Sequence, residues 1–302
     1  MSIANDTSGF IEGEPRIDDA QFTHIEELYA SPNGYTRLFR CERLGKLHIL
    51  KALQTNYIGQ DFYEQALKKE FNMGFQLDHP HICRTLSWEY VEDLGHCIVL
   101  EYIDGETLQN VMESKKLNQQ IARKIIAELC SALDYLHKKQ IVHRDLKPNN
   151  ILLTHNGDNV KLIDFSLADA DDSLLLKLPA GTRRYLAPET LEDVPLDCRA
   201  DIYSLGIIIG EMAALLNDKH LATVSQLCTH RNRAQRPSNA QGVMHALAKH
   251  SFPWRIMLVI VVCLCLIVLG FLFWRQNSLL PNDAPLLYEP DSLSFGHIEV
   301  MK

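Results

Sequence analysis

The chain lacks a basic surplus. Its 30 Lys and Arg stand against 38 Asp and Glu, a formal net charge of -8. A nucleic-acid binder normally carries a basic face, so the balance argues against that class. The one local cluster, Arg231, Arg233 and Arg236, reads as solvated or structural. Metal-binding cysteine pairs are also missing. The eight cysteines, at 41, 83, 97, 130, 198, 228, 263 and 265, form no CxxC, so no zinc site is expected. They have no framework spacing either, which suits reduced thiols better than a disulfide scaffold. Internal repeats and low-complexity tracts are absent. No apolar run opens the chain, so no secretory signal is expected there.

A different absence marks the C-terminal part. Ile256 to Phe273 (IMLVIVVCLCLIVLGFLF) holds no charge and no strong polar group. With Trp274 it approaches the ~20 residues that cross a ~30 Å hydrocarbon core as a helix. Trp254 and Trp274 flank the run where indole rings prefer the interface, and Arg255 and Arg275 cap it. A buried core helix of this length would normally carry a polar position, so residues 256–274 are read as one membrane-spanning helix. Arg236, Lys249 and Arg255 precede it, while Arg275 follows with Asp283, Glu289 and Asp291. The positive-inside rule then places the N-terminal part in the cytoplasm and the tail, 275–302, outside it. That tail is too short for a folded domain.

Apolar content of 46% and charged content of 23% are ordinary for a globular protein, and the length allows two lobes. Residues 1–20 are polar and aperiodic, a flexible leader. Strand-like runs follow at Tyr35–Cys41 and Leu47–Lys51, joined by a turn at Leu44-Gly45-Lys46. Phe62 to Leu77 has helical periodicity and is stopped by Pro80, and Cys97–Tyr102 reads as another strand. Beyond Gly105 the pattern turns helical. Ile121, Ile125, Leu129, Leu133 and Leu136 line one face of a long helix, and Asp201–Leu216 is apolar nearly all round, a buried central helix. A strand-rich part before a helix-rich part predicts an α+β, bilobal domain with a cleft between the lobes, an N-lobe over 21–104 and a C-lobe over 105–250.

The densest chemistry lies at His143-Arg144-Asp145-Leu146-Lys147-Pro148-Asn149-Asn150, read as a short loop between the apolar runs Ile141-Val142 and Ile151–Leu153. Asp145 suits the removal of a hydroxyl proton, Lys147 the holding of a phosphate, and Asn150 the supply of an oxygen to Mg²⁺. The segment resembles the catalytic loop of eukaryotic-type (Hanks-type) protein kinases, and Lys147 with Thr182 resembles the serine/threonine branch.

That resemblance covers about residues 25 to 250 and implies an antiparallel-sheet N-lobe, a helical C-lobe, ATP and Mg²⁺. It implies that Lys51 holds phosphates and pairs with Glu70, 19 residues on, and that Asp164, fourteen residues past Asn150, ligates magnesium. Leu100 stands at the gatekeeper position, so Glu101 and Ile103 would offer backbone groups to adenine, with Thr107 near the ribose. Gly34 matches the third glycine of the phosphate loop. Ala187-Pro188-Glu189 resembles the end of the activation segment. It implies a Glu189–Arg236 pair and, with Asp201 twelve residues later, an anchor for the catalytic loop. Kinase-like small-molecule phosphotransferases lack that Ala-Pro-Glu ending.

Three departures stand beside these matches. The phosphate loop reads Tyr29-Ala30-Ser31-Pro32-Asn33-Gly34 with one glycine, and Ser166 replaces the glycine after Asp164-Phe165. Only 24 residues separate Glu211 from Arg236, where the family has a helix and long loops. They keep open a pseudokinase that serves as a membrane scaffold. Asp169, Asp171 and Asp172 around Ser173 are candidates to replace an activating phosphate by pairing with Arg144. Few residues separate the last domain helix, near His250, from Ile256. Protein substrates are therefore expected close to the membrane, neighbouring copies of the chain included, which leaves room for a dimer.

Overall fold

The computed structural model describes residues 21–32, 34–165, 183–191, 197–248 and 254–277. The strand-rich part opens with β1 (Thr23–Ala30), β2 (Thr36–Arg43) and β3 (Lys46–Leu53), consecutive antiparallel neighbours. Leu44 and Gly45 make the β2–β3 reversal with φ of 55° and 69°, the left-handed pair that a tight hairpin turn needs. α1 (Asp61–Gly74) follows, then β4 (Thr85–Val91) and β5 (Gly95–Glu101), giving a five-stranded sheet of order β1-β2-β3-β5-β4. Strand alternation sorts the side chains. Leu50, Ala52, Cys97 and Val99 enter one apolar cluster with Phe39 and Cys41, and Leu53 and Ile98 meet Leu67 of α1 in another.

The second half is helical around a small sheet. β6 (Gly105–Thr107), β7 (Ile151–Thr154) and β8 (Val160–Leu162) pair in that order. α2 (Leu108–Glu113) and α3 (Gln119–Lys138) are capped by side chains: Thr107 accepts from the Asn110 N–H and Asn118 from the Ile121 N–H. Ile125, Leu129, Leu133 and Leu136 of α3 are fully buried, as the 3.6-residue stripe requires. α4 (Arg199–Leu216) packs against α5 (Lys219–Cys228), and α6 (Ala240–Ala248) closes the domain. A Cβ on Gly206 would stand 2.5 Å from Cys228 Cβ, and one on Gly210 2.7 Å from Ser225 Oγ, so two glycines four residues apart let α5 approach. Cys41 and Cys97 are buried in the sheet cluster, and Cys130 and Cys228 in the helical core.

Several expectations shift. β1 and β4 had no strand signal: every residue of β1 is exposed, and four of its eight, Thr23, His24, Glu26 and Glu27, are polar or charged, so alternation is masked. The helix expected over Phe62–Leu77 ends at Gly74, and Ile141-Val142 is not a strand but a link from α3. The short Glu211–Arg236 interval still holds α5, ten residues capped by Asp218, whose carboxylate accepts from His220 and Leu221 N–H at 2.9 and 3.1 Å.

Residues 1–249 and 250–302 are separate compact units. In the second, α7 (Trp254–Asn277) is a 24-residue helix whose described side chains, 259–275, are all exposed. Those residues alone rise about 25 Å against a core of ~30 Å. Among the fully described residues, no helix is long and apolar enough to cross a membrane.

Candidate active site

The loop after α3 is fixed from below by Asp201 of α4, which has no exposed surface. Its carboxylate accepts the N–H groups of His143 at 2.9 Å and Arg144 at 3.0 Å, and the Nε2 of His137 on α3 at 2.8 Å. Burial alone would push this carboxyl up. The hydrogen bond and charge of His137, with the donors at His143, hold it below the usual carboxylate range. Arg144 turns the chain with φ of 65°, and Leu146 is fully buried, which leaves the flanking polar residues to face one another.

Asp145 is at the centre of that group. Lys147 Nζ reaches its Oδ2 at 2.6 Å, and Asn150 Nδ2 donates to the same oxygen and to the Asp145 carbonyl, each at 2.9 Å. Its other oxygen, Oδ1, is buried and has no hydrogen-bond partner among the described residues. Such an orphan acceptor costs free energy unless a donor arrives from outside. Burial pushes the Asp145 carboxyl up, against the pull of Lys147. Asn150, having spent its amide nitrogen on Asp145, keeps its side-chain oxygen, Oδ1, for a cation.

A second constellation meets at Lys51 of β3. Its ammonium lies 2.6 Å from Glu70 Oε1 on α1 and 2.8 Å from Asp164 Oδ1, just past β8. Burial would strip the proton from this lysine, but Asp164 and then Glu70 raise its pKa far above the ordinary value, so it stays charged. The Ile163 N–H donates to the Asn150 carbonyl at 3.0 Å, which ties the Asp164 segment to the loop. The His143 ring packs on Phe165 with centroids 5.1 Å apart. Lys51 and Asp164, 113 apart in sequence, thus meet in one ion pair.

The remaining candidates lie around these groups. Gly34 passes so close to Ser31 that a Cβ would collide with the Ser31 hydroxyl. The Glu101 N–H is taken by the Arg84 carbonyl at 3.0 Å, and its carboxylate by Lys161 Nζ at 2.7 Å. Glu101 and Ile103 line a shallow cavity with Tyr102, Asp104 and Lys161. The Thr107 hydroxyl is engaged as the α2 cap. Arg236 meets Glu189 in a fork, at 2.6 and 2.8 Å, both residues buried. Ser166, Asp169, Asp171, Asp172, Ser173 and Thr182 lie outside the described residues. Sequence reasoning missed His137 and Gln54. His137 reads as one more residue in the last turn of α3, and Gln54 follows a strand with no motif around it.

The family described as "Protein kinase domain" matches residues 34–250. A probable serine/threonine-protein kinase of Clostridium perfringens is 33% identical over 177 residues, 57% of this chain and 26% of that protein. The serine/threonine-protein kinase PrkC of Bacillus subtilis is 30% identical over 218 residues, 67% of this chain and 33% of that protein. The chain thus spans about a quarter to a third of the length of these bacterial relatives. The crystal structure of the Mycobacterium tuberculosis PknI kinase domain shares the fold, with a TM-score of 0.58 and 21% identity over 78% of this chain and 99% of that one. With the match extending from Gly34 through the Asp145 loop to residue 250, the chain belongs to the eukaryotic-type (Hanks-type) serine/threonine protein kinase family.

Proposed function

We propose that this chain is a serine/threonine protein kinase that moves the γ-phosphoryl group of ATP to protein hydroxyls, and that α7 anchors it in a membrane. One observation carries the reaction: the buried, unpartnered Asp145 Oδ1, flanked by Lys147 and Asn150 and tied through Ile163 to the Lys51–Asp164 pair. That orphan oxygen fits an incoming hydroxyl. Asp164 and the side-chain Oδ1 of Asn150 are the hard oxygen donors that suit Mg²⁺. When bound, the metal neutralises phosphate charge. The chain's own residues do the rest. Asp145 takes the hydroxyl proton, Lys147 balances charge beside it, and Lys51, held by Glu70, meets the nucleotide's phosphates. Glu101 and Ile103, following Leu100, are the backbone sites assigned to adenine. Catalysis then rests on positioning and charge placement.

To test this, the full-length chain in detergent is incubated with labelled ATP, Mg²⁺ and a generic basic protein, beside Lys51→Met. Label entering the chain or the added protein with wild type, and lost with Lys51→Met, is the expected result. No incorporation by wild type would favour the scaffold reading, to which the glycine-poor phosphate loop already points.

Anchoring is supported by the uncharged run from Ile256 to Phe273, the helical backbone of 24 residues, and the exposed apolar side chains of α7. The charge bias around the run favours a cytoplasmic kinase domain, where ATP is available, with the tail on the other side. Only residues 249–253 join α6 to α7, so hydroxyls offered at the membrane surface, those of a second copy among them, are the substrates within reach. Membranes from expressing cells, washed at alkaline pH, should retain the chain in the pellet. Release into the supernatant would rule out the span.

A further inference from the structure

Phosphate-binding turns commonly rely on glycine, which lets backbone N–H groups approach the anion. The β1–β2 turn here keeps only Gly34, yet its described residues Ser31 and Gly34 are held by a side chain from outside it. Gln54, the residue after β3, donates its Nε2 amide to the carbonyls of Ser31 at 2.6 Å and Gly34 at 3.0 Å. Its own N–H donates to the Tyr35 carbonyl at 2.8 Å, and the Ser31 N–H closes the turn on the Thr36 carbonyl at 3.1 Å. On the other side the Tyr35 ring rests on Tyr63 of α1, centroids 5.3 Å apart, and Tyr63 rests on Tyr57 at 4.4 Å. Burial and then the Glu70 carboxylate push the Tyr35 hydroxyl up to about 12, in keeping with a ring tucked beside the Lys51–Glu70 pair.

The direction of these bonds matters more than their number. A carbonyl aimed at a phosphate repels it, whereas an N–H attracts it. The described peptide bonds are all trans, so each N–H points opposite to its own carbonyl. With the Gly34 carbonyl drawn to Gln54, the Tyr35 N–H is directed away from Gln54. With the Ser31 carbonyl drawn in as well, and Pro32 carrying no N–H, a second acceptor is sequestered. Both acceptors are thereby occupied at a point three residues along the chain from Lys51.

We propose that Gln54 is the positioning residue of the nucleotide-phosphate turn: by holding the Ser31 and Gly34 carbonyls it does by hydrogen bonding what the absent glycines would do by flexibility. The proposal rests on the kinase reading above and extends it to how this chain grips a nucleoside triphosphate. It assigns Gln54 an effect on phosphate binding and none on the base or sugar.

The test compares MgATP and adenosine binding to the detergent-solubilised full-length chain, as wild type, Gln54→Met and Gln54→Glu. Gln54→Met keeps the length of the side chain and loses both donors, while Gln54→Glu sets a carboxylate against the two carbonyls. Gln54→Met should bind MgATP about ten-fold more weakly, and Gln54→Glu more weakly still, with adenosine affinity held within about two-fold. Unchanged MgATP affinity in both variants overturns the proposal. So does a parallel loss of adenosine affinity, which would mark a general disturbance of the lobe. If wild type binds adenosine but not MgATP, the proposal falls and the kinase reading with it; that outcome is distinct from variants that bind like wild type.

Discussion

Asp145→Asn should lower phosphoryl incorporation by about 10²–10⁴-fold, the range set by loss of a positioned general base. The substitution keeps the shape of the side chain and its contacts with Lys147 and Asn150, so the unfolding temperature should change little. The acceptor of the hydroxyl proton is removed, together with the negative charge that pairs with Lys147. The wild-type pH profile checks the same assignment. Burial raises the Asp145 carboxyl, so the base becomes protonated, and activity is lost, as pH falls through a value above the ordinary aspartate pKa of about 3.9. The acid limb of kcat should therefore have its midpoint above that value and vanish as a feature of residual activity in Asp145→Asn. An Asn variant with near wild-type turnover would remove Asp145 from the reaction.

Arg236→Ala should be the most damaging single change to stability, about 3–5 kcal/mol, because it leaves the buried Glu189 carboxylate without its partner. The guanidinium does more than pair. Its Nε donates to the His230 carbonyl at 2.7 Å and its Nη1 to the Arg199 carbonyl at 3.1 Å, and it lies 4.8 Å from the Tyr203 ring centroid. One cation thus ties the Pro188–Leu191 turn to the start of α4 and to the segment before α6. Glu189→Leu combined with Arg236→Met should recover part of the loss, since no charge is then buried alone. Thermal unfolding of the two single variants and the double variant measures this. Losses that simply add would contradict a coupled pair.

The parts of the fold that were legible in the sequence are those where a period survives. The α3 stripe and the β2–β3 hairpin could be read because one face of each is buried and the other is not. β1 could not, since none of its side chains is buried and so nothing selects an alternating pattern. β4 was hidden for a related reason: in TLSWEYV only Val91 is buried. At the site, His143–Asn150 could be read because its groups are contiguous. Lys51, Glu70 and Asp164 were legible only through the spacing of a known family. His137 and Gln54 were not legible at all, because each acts through partners brought close by the fold, 64 residues away for His137 and Asp201, and 23 for Gln54 and Ser31.

The buried thiols give the domain two sets of internal clocks. Cys41 and Cys97 sit within the strand-rich lobe, and Cys130 and Cys228 within the helical one. Burial pushes the Cys41 thiol up to about 11 and those of Cys97 and Cys228 up to about 12. A thiolate, the form that alkylating reagents attack, therefore appears only when the surrounding element opens. With reagent in such excess that alkylation outpaces reclosing, the rate at which each pair is alkylated is the rate at which its surroundings open. The two halves of the domain can be timed separately in the unaltered chain, and a nucleotide that steadies the sheet should slow one clock more than the other.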